Sequence, residues 1–97
     1  MRRLEIHRLA ERELNGAARR YEHQTSGLGA EFLDELQRSL ESILRFPLAG
    51  TQIAEGVRRR LLSRFPFAVL YSIRPDAIRL LAVMHLKREP EYWVGRR

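Results

Sequence analysis

A chain of 97 residues is long enough for one modest hydrophobic core and too short for two. Its 44% hydrophobic and 31% charged residues exclude a disordered tail, and the absence of cysteine excludes a disulfide framework and a thiolate metal site. The net charge of +6 calls for an acidic or polyanionic partner. It is unevenly placed: residues 1–55 carry eight basic and nine acidic side chains, a net of −1, whereas residues 56–97 carry ten and three, a net of +7.

Residues 3–7 alternate polar and apolar, with Leu4 and Ile6 on one side, and are expected to form a short strand. From Ala10 the period becomes helical: Ala10, Leu14, Ala17 or Ala18, and Tyr21 recur at three- and four-residue steps, so a first helix should run to about His23. Ser26 is a candidate cap for a second helix, and Gly27 and Gly29 loosen the turn before it. Phe32, Leu33, Leu36, Leu40, Ile43 and Leu44 form its apolar stripe, Asp34 and Arg38 are placed for an ion pair on the wet face, and Phe46-Pro47 ends it. The two helices form a hairpin.

Residues 48–56 read as loop. Three strand-like runs follow at residues 57–64, 67–74 and 77–86, separated by Phe65-Pro66 and by Pro75-Asp76, and they are expected to form an antiparallel meander. Strict alternation in the last run places Ile78, Leu80, Ala82, Met84 and Leu86 on one face and Leu81 and Val83 on the other, as in a central strand covered on both sides. The first run carries Arg58, Arg59, Arg60 and Arg64, an arginine patch in which Arg58 and Arg60 share one face and Arg59 takes the other. The predicted architecture is α+β: an N-terminal strand, an α-helical hairpin, then a three-stranded meander, all in one mixed or antiparallel sheet. It forms a single domain over residues 1–97 with a basic tail at residues 87–97.

The longest apolar stretch, residues 80–86, is interrupted by His85 and falls far short of the roughly 20 residues of a membrane-spanning helix. Met1-Arg2-Arg3 enters Leu4-Glu5-Ile6-His7 without the apolar region of a signal peptide. A cytoplasmic protein without membrane partners is the expectation. His7, His23 and His85 lack ligand spacing, and Gly27-Leu28-Gly29 lacks the strand and third glycine of a dinucleotide site. No metal and no cofactor is implied.

Three stretches carry a resemblance over nearly the whole chain. They are Ala10-Glu11-Arg12-Glu13-Leu14 through Tyr21-Glu22 with Gly27-Leu28-Gly29-Ala30-Glu31-Phe32; Val57-Arg58-Arg59 through Phe65-Pro66-Phe67-Ala68-Val69-Leu70-Tyr71; and Ala82-Val83-Met84-His85-Leu86-Lys87-Arg88-Glu89-Pro90. Together they resemble the RelE/ParE toxins of type II toxin-antitoxin systems, the plasmid stabilisation family. The resemblance implies a sheet clasped on one side by the helical hairpin, and a groove for the C-terminal segment of a small cognate antitoxin in a hetero-oligomer.

Two toxic mechanisms follow from the resemblance. RelE-like members are ribosome-dependent endoribonucleases, or mRNA interferases, which cut mRNA with Arg, Lys, His or Tyr side chains. ParE-like members poison DNA gyrase and lack that set. Where RelE-like enzymes typically carry an arginine before the aliphatic pair and Tyr, this chain has Ala68, whereas His85-Leu86-Lys87-Arg88 resembles the His-x-x-Arg frequent on the ParE side. Gyrase poisoning is therefore expected, with mRNA cleavage as the alternative and a non-toxic basic nucleic-acid or protein-binding module as a third class.

Nuclease chemistry would need a base for the 2′-hydroxyl, cations for the phosphorane and an acid for the leaving oxygen. Its candidates are His85, Arg58, Arg60, Arg88 and Tyr92. As target-binding residues the same reasoning offers Arg58, Arg59, Arg60, Arg64, His85, Lys87, Arg88 and Trp93. For Tyr92 and Trp93, in a tail with Arg96 and Arg97, folding back to cover the sheet competes with stacking on a target.

Overall fold

The computed structural model describes residues 2–96; Arg97, counted above with the tail, lies outside the described residues. The element order is β1 (Arg3–Ile6), α1 (Arg8–Gln24), α2 (Leu28–Arg45), a 3-10 turn (Pro47–Ala49), β2 (Thr51–Ala54), β3 (Val57–Leu61), β4 (Phe67–Ile73), β5 (Ala77–His85) and a C-terminal 3-10 turn (Val94–Arg96). One five-stranded sheet runs β1-β5-β4-β3-β2. β1 pairs in parallel with β5, and the other neighbours are antiparallel. The predicted α+β class and mixed sheet hold, with one strand more than expected.

The extra strand, β2, lies in the segment expected to be loop. Its four residues have no alternating pattern of their own; pairing with β3 makes it a strand, Thr51 opposite Arg59 and Gln52 opposite Arg58. Tyr71, fully buried on β4, ties the approach to β2 in place. Its hydroxyl donates to the Pro47 carbonyl at 2.6 Å and accepts the Gly50 N–H at 3.1 Å. A Cβ at position 50 would collide with that hydroxyl, so glycine is required there.

The helical hairpin covers one face. Ala10, Ala17 and Ala18 of α1 and Phe32, Leu36, Leu40 and Ile43 of α2 pack with Phe67, Val69, Tyr71, Ile78, Leu80 and Val83 of the sheet in one cluster. Three departures from expectation are local. β1 ends at Ile6 and α1 starts at Arg8, because His7 caps the helix: the Leu9 N–H donates to His7 Nδ1 at 3.1 Å. Ser26 does not cap α2, whose N-cap is Gly27 at φ 90°. Instead the Glu22 carboxylate reaches across from α1 and accepts the Gly27 and Gly29 N–H groups at 2.9 and 3.0 Å, a negative charge at the positive end of a helix. Asp34 and Arg38, both exposed, form no ion pair, and Leu33 sits on the solvent flank of α2.

Strict alternation in β5 fails at one point. Leu70 stands opposite Ala82, but the next residue of β4, Tyr71, stands opposite Leu80. Leu81 is therefore the extra residue of a β-bulge. Leu81, Ala82 and Met84 all join a second cluster on the opposite face with Val57, Ala68, Leu70 and Trp93, while Val83 returns to the hairpin side. Met84 and Ala82 thus do not share a face with Ile78 and Leu80. The bulge also carries His85 to the hairpin side, opposite Phe67.

Candidate functional site

His85 ends β5 against the Phe67 ring, centroids 5.0 Å apart, and lines a cleft of about 400 Å³ between α1 and the end of the sheet. Arg12 and Arg20 of α1 and Arg88 of the tail line the same cleft. None of these three guanidiniums has an acidic partner among the described residues. On the cleft wall Glu13 and Arg96 form a two-pronged pair, both N···O distances 2.9 Å.

That pair is also structural. β1 covers β5 only from Ala77 to Leu80, so the strand beyond needs other partners for its backbone. The Glu13 carboxylate accepts the Val83 N–H at 3.0 Å, and the Arg96 guanidinium donates to the Leu81 carbonyl at 3.1 Å. The two side chains hold the bulge that aims His85. Sequence reasoning passed over Glu13, Arg96, Arg12 and Arg20 as site residues. The available signal was that Glu13 lies four residues before the buried Ala17, on the rim of the inward face of α1.

The remaining candidates are dispersed. Arg58 donates to the carbonyls of Gly50 at 2.7 Å and Leu48 at 3.3 Å, and Arg60 donates to Ser42 Oγ at 2.7 Å. Arg58 and Arg60 therefore share the hairpin side as expected, but both are engaged with their own chain. Arg59, opposite Leu70, belongs to the other face. Arg64 pairs with Glu31, while its backbone N–H and that of Ser63 donate to the buried Glu35 carboxylate. Lys87 is exposed. Trp93 is 3% exposed in the second cluster with its indole N–H on the Pro90 carbonyl, so the tail folds back over the sheet.

Register places Arg58 level with Leu80, through Tyr71, and His85 level with Phe67. These positions are five residues apart along β5 and on strands two apart, roughly 10 Å across and more than that along the strand. The His85 Nδ1 lone pair accepts the Lys87 N–H at 3.0 Å, so neutral His85 carries its proton on Nε2 and offers a donor. Tyr92 lies between two guanidiniums, with Arg88 4.0 Å and Arg96 4.8 Å from the ring centroid. Burial, with the nearby Glu13 carboxylate adding to it, pushes the Tyr92 phenol well above its ordinary pKa. Its buried hydroxyl finds no well-formed hydrogen bond. Arg96 is raised by its bond to Glu13 and stays charged. The cleft is thus rich in donors for an anion.

Fold and cleft together define a small basic α+β domain with a cleft lined by cations. A model of the ParE toxin of the type II toxin-antitoxin system parDE matches residues 4–90, and the chain belongs to that ParE toxin family. A solved chain of the chromosomal ParDE toxin-antitoxin system from P. aeruginosa has a similar fold, with a TM-score of 0.63 at 20% identity over 88% of this chain and 96% of that one. No curated protein matches the chain in sequence.

Proposed function

We infer that this ParE-family chain arrests growth by binding DNA gyrase and trapping it on cleaved DNA. A small acidic antitoxin encoded beside it neutralises it in a cytoplasmic hetero-oligomer. The observation that carries the choice of target is Ala68. It is fully buried among Leu70, Ala82, Met84 and Trp93, so the position where RelE-like enzymes hold an arginine is a methyl group in an apolar cluster under the folded tail. Loss of one such cation commonly costs on the order of 10²-fold in rate or more. A contact inhibitor has no such requirement. The dispersal of Arg58, Arg60 and His85 supports the same reading.

Controlled expression tests it. Growth should stop and cleaved chromosomal DNA accumulate, and co-expression of the neighbouring short reading frame should restore growth. Unchanged growth on expression, with no short antitoxin-like frame beside the gene, would overturn the reading and leave a non-toxic basic module.

A further inference from the structure

We propose that the cleft between α1 and the end of β5 is a binding site for backbone phosphates of duplex DNA, so that the toxin grips the DNA as well as any protein target. The cleft offers the guanidiniums of Arg12, Arg20 and Arg88, which have no acidic partner among the described residues, and the Nε2–H of His85. These are donors only, and planar guanidinium forks match phosphate oxygens. One carboxylate would answer one of those charges and leave most of a cleft of about 400 Å³ to water.

The charge also continues beyond the cleft. Arg8, Arg12 and Arg19 fall within about 40° of one another around α1 at 100° per residue. All three are exposed and none has an acidic partner among the described residues. They span roughly 16 Å of helix, a length over which duplex DNA presents several phosphates. A straight row of arginines leading into a basic cleft fits a polyanion of regular charge spacing. The bulge at Leu81 completes the site by turning His85 to that side.

This inference rests in part on the gyrase reading, which supplies DNA as the nucleic acid, but its test does not. Purified full-length chain is titrated against a fluorescent 20-base-pair DNA duplex of arbitrary sequence, with a duplex RNA and a glutamate-rich peptide alongside. The three cleft arginines, one phosphate contact each, predict an affinity loss of about 40-fold between 50 and 200 mM salt, and contacts from Arg8 and Arg19 would add to it. Arg12→Gln, Arg20→Gln and Arg88→Gln should each lower the slope of log K against log salt by about 0.9. Arg38→Gln and Arg45→Gln, which remove the same charge from α2 outside the cleft, should leave it unchanged; thermal unfolding verifies that each variant folds. No binding to DNA, a preference for the peptide or the RNA, or equal losses from the α2 variants would overturn the proposal. Gyrase inhibition without DNA binding would sink this inference and leave the proposed function standing. DNA binding without any effect on gyrase would do the reverse.

Discussion

At the scale of single residues, two side chains fix the end of the molecule that carries the cleft. Glu13 and Arg96 are 17% and 11% exposed at the side chain, and both are hydrogen-bonded to the backbone of β5 as well as to each other. Removing either leaves a partly buried charge and a strand carbonyl or N–H unpaired. Glu13→Ala should therefore cost about 1–3 kcal/mol. The double variant with Arg96→Ala should lose less than the sum of the two, a coupling that denaturant unfolding of the four-member cycle would measure. Additive losses would mean that the pair does not hold the bulge. His7 makes a second prediction. Burial, then the positive charges of Arg79, Arg96 and Arg8, lower its pKa below the ordinary value of 6.5, so the unfolded chain takes up the proton first. The stabilisation is complete above the unfolded pKa and declines as pH falls towards the lowered folded one. Protonation also removes the acceptor that caps α1. Denaturation midpoints measured from pH 7.5 down to 5.5 should fall for the natural chain, and His7→Asn, which keeps an N-cap acceptor, should remove that part of the fall.

At the scale of elements, the apolar stripe of α2 predicts its own packing. Leu40 is 9% exposed in the main cluster, and Leu40→Ala should cost about 2–5 kcal/mol in chemical denaturation; a loss under about half a kcal/mol would assign the wrong face. The two helices were legible because each buries one face and repeats that demand at the helical period; β4 and β5, buried on both faces, showed as continuous apolar runs bounded by turn residues. β2 was not, since Thr51–Ala54 bury little and owe their conformation to β3. The bulge was equally invisible: Leu81, Ala82 and Val83 are all apolar, so no polar residue marks where the alternation slips. That slip decides which face His85 occupies, and with it the composition of the site. The His-x-x-Arg at the strand end was visible in the chain. Its companions Arg12 and Arg20 come from a helix about seventy residues away in sequence, and only the fold brings them together. The α2 cap shows the same limit, because Ser26 is the local choice and Glu22 wins by reaching from the preceding helix.

At the scale of the whole molecule, the charge is arranged around the fold rather than spread over it. The +7 of the second half is partly consumed inside the chain, as Arg58, Arg60, Arg64 and Arg96 hold their own backbone or side chains. At the α1 side of the sheet, Arg12 and Arg20 of the first half join Arg88 around the cleft. The opposite face carries the second apolar cluster, which Trp93 covers. Under the proposed function this arrangement serves gripping a partner rather than turning over RNA, and residue 68 is a buried methyl group in an apolar cluster. One preparation of the purified chain decides between them: gyrase supercoiling and DNA cleavage are followed beside primer-extension mapping of ribosome-bound mRNA. The account predicts inhibited supercoiling or trapped cleaved DNA with intact mRNA, an effect weakened by Arg88→Ala. Codon-positioned cuts in the mRNA with gyrase unaffected would contradict it.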